Sequence, residues 1–64
     1  MKDFEGKILK VYFNNSEGWA CLTGAYLRSE DGFYIIRDSI SKKIRYINKA
    51  YIRSIEITGE IDEH

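Results

Sequence analysis

The sequence predicts a single all-β domain, a small and strongly bent antiparallel barrel of five strands. Three observations predict it. Ile, Tyr, Phe, Val and Thr alternate with polar residues at period two along most of the chain, the pattern of half-buried strands. Turn-forming clusters at 14–18, 29–32 and 38–42 interrupt that pattern at short intervals, with Gly, Asn, Asp and Ser supplying the turn chemistry. No segment keeps apolar residues at i, i+3, i+4 and i+7 for three turns, so a helical reading fails.

Each element follows from its residues. The first strand is expected over 7–13, with Leu9, Val11 and Phe13 on one face and Ile8, Lys10 and Tyr12 on the other. Asn14, Asn15, Ser16, Glu17 and Gly18 then turn the chain. The second strand, 19–28, carries Gly24 in its middle. A mid-strand glycine marks a bulge, a sharp bend or the close passage of another backbone, and a small barrel needs such a corner. Asp31-Gly32 between alternating runs is a strong hairpin signal, and it leads to a third strand over 33–37. A fourth strand is expected over 43–48. Lys49-Ala50-Tyr51 suits a single 3₁₀ turn, and a fifth strand follows over 52–57. The domain is therefore placed at 1–58, with 59–64 as an acidic tail that frays.

Composition bounds the function. The chain has 64 residues, a length at which one core barely offsets chain entropy. It has one Cys, Cys21, and one His, His64, which excludes an internal disulfide and a four-ligand zinc site. Oligomerisation is the remaining means of stabilisation. No signal-type h-region opens the sequence and no run approaches the roughly 18 apolar residues of a membrane span. The expectation is a cytoplasmic protein with a reduced thiol and no membrane partner. Lys plus Arg and Asp plus Glu both number 10. That neutrality hides a basic stretch holding Arg37, Lys42, Lys43, Arg45, Lys49 and Arg53 against Asp38 alone, followed by an acidic end with Glu56, Glu60, Asp62 and Glu63.

Gly24-Ala25-Tyr26-Leu27-Arg28-Ser29-Glu30-Asp31-Gly32-Phe33-Tyr34-Ile35-Ile36 resembles the strand-turn-strand centre of the Sm-like family, its bacterial Hfq branch especially. Val11-Tyr12-Phe13-Asn14-Asn15 is similar to that family's first strand and turn, and Asn48-Lys49-Ala50-Tyr51-Ile52-Arg53-Ser54-Ile55 to its short turn and last strand. The resemblance covers about residues 7–57 and implies a ring of five to seven subunits that binds RNA. The sequence departs from the pattern in several places. Residues 1–6 leave no room for the usual opening helix. Ala50 stands where Hfq has His, Gly32 where it has Gln, and Phe33-Tyr34 where Sm proteins have Met-Asn. An SH3-like barrel of another kind fits the same strand pattern.

Candidate sites follow. Cations track phosphates and rings stack on bases, so the nucleic-acid-binding candidates are Phe33, Tyr34, Arg37, Lys42, Lys43, Arg45, Lys49, Tyr51 and Arg53. Their alternative is a solvated face in which Lys blunts an edge strand and Phe33 belongs to the core. Trp19 is expected in the core. Ile44, Tyr46, Ile47, Ile52, Ile55 and Ile57 on strands four and five exceed what one small barrel hides, and form the expected subunit interface. No catalytic, metal or cofactor site is expected. His64 is terminal, Cys21 lies mid-strand, and Glu30-Asp31 are sequence neighbours that diverge in a tight turn. The leading expectation is a ring-forming, non-catalytic binder of RNA or single-stranded nucleic acid. An SH3-like interaction module and an oligomer that sequesters a small nucleotide stay open beside it.

Overall fold

The Asp31-Gly32 pair forms a two-residue turn. In the computed structural model, which describes residues 4–61, their φ angles are 48° and 82°. A two-residue hairpin that follows the right-handed twist of its strands needs positive φ at both central positions, and Asp-Gly is among the pairs that tolerate it. This turn joins β2 (Gly18–Glu30) to β3 (Phe33–Asp38). A second two-residue turn, Ser16-Glu17, joins β1 (Lys7–Asn15) to β2, with the Asn15 side-chain oxygen accepting the Glu17 N–H at 2.9 Å. β4 (Ile44–Asn48) follows a loop at 39–43, and a 3₁₀ turn, Lys49–Tyr51, leads into β5 (Ile52–Glu60). The Asn48 side chain caps that turn by accepting the Ala50 N–H at 2.9 Å.

All five strands belong to one antiparallel sheet in the order β4-β3-β2-β1-β5. The strands are those expected, with edges that shift. β1 and β2 run on into residues read as turn, and β5 continues through Gly59 and Glu60, which were assigned to the tail. Glu60 stays in the strand because the Lys7 ammonium reaches its carboxylate at 2.8 Å and Ile61 N–H donates to the Gly6 carbonyl at 2.7 Å. Asp62, Glu63 and His64 lie outside the described residues. β4 and β5 are the two outermost strands and do not pair with each other, so the hydrogen-bonded sheet is not closed.

The core sits on one face. Leu9 and Val11 from β1, Ile36 from β3 and Ile47 from β4 are buried, each contributing roughly 2 kcal/mol of transfer free energy. Phe13, Leu22, Tyr26, Tyr34, Ile52 and Ile55 pack around them. Phe4 closes one end, its ring edge-to-face with Tyr26 and Tyr34, 5.7 Å from each. Three bulges reset which residues face this core. In β2 the register passes from Tyr26↔Ile36 to Arg28↔Ile35, leaving Leu27 as the extra residue. In β5 it skips Arg53 and Thr58. A bulge bends its strand and re-aims the side chain at the inserted position.

Gly24 fulfils the close-approach reading of its position. A Cβ there would stand 2.8 Å from the Arg37 carbonyl carbon and 2.9 Å from Ile36 Cγ2. Only glycine lets β3 lie this close against β2 at the bend.

Candidate functional site

The sheet does not close, and space stays open between β4 and the β1–β2 hairpin. The opening is a groove of about 620 Å³. Phe13, Leu22, Tyr46, Ile47 and Tyr51 give it apolar and aromatic walls, and Asn15, Asn48, Asp38 and Arg45 give it polar points. Asn15 and Asn48 already spend their carbonyl oxygens on the backbone N–H groups of Glu17 and Ala50. Each therefore has its NH₂ left as a donor.

Asp38 organises the far end. Its Oδ1 accepts the N–H of Ile40 at 2.8 Å and of Ser41 at 3.2 Å, while the Arg45 guanidinium lies 3.9 Å from Oδ2. The two backbone N–H groups, with Arg45 adding, hold the Asp38 carboxyl below the usual carboxylate range. The same residue's main chain clamps the loop, since Lys42 N–H donates to Asp38 O and Asp38 N–H to Lys43 O. Lys42 sits at φ 67° within that loop. The groove thus combines rings, amide donors and one guanidinium, the set that stacks a planar ligand and contacts its polar edge.

The nine residues proposed from sequence for nucleic-acid contact do not converge on one place. Phe33, Arg45 and Tyr51 line the groove. Phe33 is half-buried, and its ring stands edge-to-face with Tyr46 at 6.3 Å. Lys42 and Lys43 are exposed on the loop beside Asp38, and Arg37 is exposed on β3. Tyr34 is instead a member of the Phe4–Tyr26 ring cluster, 6.0 Å from Tyr26, with the Lys49 ammonium 4.7 Å above its ring. Phe4, Tyr26 and Lys49 thus engage that half-buried ring. Arg53 lies elsewhere, because the bulge in β5 aims it toward Tyr12 and Trp19 on the β1–β2 hairpin.

The six interface candidates also divide. Ile47 is buried at 6% exposure and Ile52 and Ile55 pack against the core. Ile44 and Tyr46 on β4 are 44% and 57% exposed, and Ile57 on β5 is 55% exposed. These three lie on the two unpaired edge strands. Trp19, expected in the core, is 60% exposed. Its strand position places it opposite Asn14, diagonal to Tyr12 on the face away from the core. Cys21 is exposed and free.

Some contributors escape a reading of the sequence. Asn15 registers only as a turn residue, Asn48 only as the end of the fourth strand, and Phe13 only as a strand position. The pairing of each Asn with a backbone N–H two residues ahead is the signal that would have found their free amide groups. Among the described residues no three His, Cys, Asp or Glu side chains are grouped to hold a metal ion, and no helix is long and apolar enough to cross a membrane. No family model, no curated protein and no solved structure matches the chain.

Proposed function

We propose that this chain is a non-catalytic Sm-like small barrel that binds RNA or another single-stranded nucleic acid and assembles with copies of itself into a ring of five to seven subunits. The groove carries the reading. Phe33, Tyr46 and Tyr51 offer ring faces or edges, Asn15 and Asn48 offer amide donors, and Arg45 lies within reach of a phosphate or base edge. Lys42, Lys43 and Arg37 extend positive charge along the strand and loop beside it. The ring reading draws on the edges. β4 and β5 each leave one row of backbone groups unpaired, and each bears exposed apolar side chains. Pairing of β4 in one copy with β5 in the next satisfies both rows without limit until the ring closes.

Fluorescence anisotropy with labelled oligo-uridine and oligo-adenosine RNA, titrated across salt, tests the binding. Affinity is expected to fall with a log-log slope of about −0.7 for each phosphate contacted. Tyr51→Ala and Arg45→Glu should each weaken binding about tenfold, the scale of one stacked base or one charge contact. Absence of binding at low salt sinks the nucleic-acid reading, and a monomer by light scattering at micromolar concentration sinks the ring. The groove's 620 Å³ also falls in the range of small-ligand sites, which favours a single nucleotide as the second reading. Competition by mononucleotides as effective as the oligomer would establish it in place of the first.

A further inference from the structure

On the β1–β2 hairpin, Tyr12 and Trp19 stand with ring centroids 6.0 Å apart and planes inclined at 43°. With Arg53 and Ser54 they enclose a notch of about 340 Å³. Trp, Tyr and Arg are the residue types that dominate binding energy at protein interfaces, and they do so when gathered around a pocket. Arg53 has no ion-pair partner among the described residues. A bulge residue on an exposed strand therefore holds an uncompensated cation at the lip of an aromatic notch.

The surrounding charges select the partner. Lys10 lies 5.4 Å from the Tyr12 ring centroid and pairs in register with Glu56, and Glu17 occupies the turn next to Trp19. Two carboxylates beside two cations leave no positive track for a phosphate chain to follow. A lone free guanidinium next to an aromatic notch instead matches one carboxylate next to one apolar side chain.

We infer that the Tyr12–Trp19–Arg53 notch is a docking site for a protein segment, one that lays an apolar side chain against the paired Tyr12 and Trp19 rings and places a neighbouring Asp or Glu on Arg53. The notch shares no lining residue with the groove, and its occupation does not depend on the nucleic-acid reading.

Trp19 is the only tryptophan of the chain, so its emission reports on the notch it lines. The test is selection from a random peptide display library on the intact protein, then titration of enriched synthetic peptides while following Trp19 fluorescence. Enriched peptides should carry Asp or Glu within two positions of an apolar residue and should shift Trp19 emission. Arg53→Glu, checked by circular dichroism to retain the fold, should weaken them roughly tenfold or more. Replacing the peptide's acid by Lys should restore affinity for that variant. No enrichment, enrichment without acidic residues, or equal binding to Arg53→Glu overturns the assignment. So does a shift of Trp19 emission by oligo-uridine when no peptide produces one.

Discussion

Gly24→Ala isolates the physical requirement at the bend of β2. The added methyl would lie 2.8 Å from the Arg37 carbonyl carbon and 2.9 Å from Ile36 Cγ2, and nearer still to the Arg37 carbonyl oxygen. The first obstacle is backbone, so rotating a side chain cannot relieve it. β2 and β3 must separate where Gly24 faces Asp38, next to the hydrogen bond from Ser39 N–H to Thr23 O at 2.9 Å. Overpacking of this kind costs about 1–3 kcal/mol, and weakening one backbone hydrogen bond adds about 1 kcal/mol. The lower entropy of the unfolded alanine chain offsets about 0.4–1 kcal/mol. The net expectation is a loss of about 1–3.5 kcal/mol from a total of roughly 3–10 kcal/mol for a domain of this size. Melting temperature should drop by about 5–25 °C. Urea and thermal unfolding by circular dichroism, at one fixed protein concentration, measure both. Gly59→Ala is the control, because its Cβ would meet only Ile8 Cδ1 at 3.9 Å, and it should fall within about 0.5 kcal/mol of the parent. If Gly24→Ala matches that control, the close approach of β3 is not what the glycine is for.

Other outcomes follow from the same geometry. Gly32→Ala forces an L side chain into φ 82°, and should cost about 1–2 kcal/mol in a chemical denaturation curve. Phe4→Ala removes a ring shared by Tyr26 and Tyr34; unfolding midpoints should report about 1.5–3 kcal/mol, below the range for a fully buried Phe. The pH dependence turns on Asp38, whose carboxyl is held below its ordinary value of 3.8 chiefly by the N–H groups of Ile40 and Ser41. Because the folded value is depressed, its stabilisation is complete above 3.8 and disappears as pH falls through the folded value. Asp38→Asn should flatten the acid limb of a stability-versus-pH curve, and an unchanged limb would contradict the loop-clamping role.

Much of the architecture was legible because it rests on local chemistry. Asp31-Gly32 specifies its own turn, and Asn48 before Lys49–Tyr51 caps its own 3₁₀ turn, so neither depends on distant contacts. Alternation located all five strands. What alternation does not contain is where parity breaks. The extra residues Leu27 and Arg53 send neighbours to the opposite face, which is why Arg53 left the basic stretch and joined Tyr12 and Trp19. Ile35 and Ile36 are both fully buried although they are successive strand positions, the second within the main core and the first opposite Tyr46 and Arg28. Tyr34 was read as a stacking ring because nothing local announces that Phe4, 30 positions earlier in the chain, packs against it. The candidate site suffered most, since a groove collects residues from hairpin, strand and cap whose only link is the fold.

The bond from Ile61 N–H to the Gly6 carbonyl and the ion pair of Lys7 with Glu60 bring the start of β1 and the end of β5 to one place. A short linker can therefore join residue 61 to residue 6 without stretching any ladder, though it removes Phe4 with its ring contacts to Tyr26 and Tyr34, and the chain can be reopened between Ser16 and Glu17. Such a permutant keeps every strand neighbour while the β1–β5 pairing becomes the local hairpin and the β1–β2 pairing the distant one. By the same geometry the whole sheet can be inserted into a surface loop of a host protein, entering and leaving through a gap of one hydrogen bond.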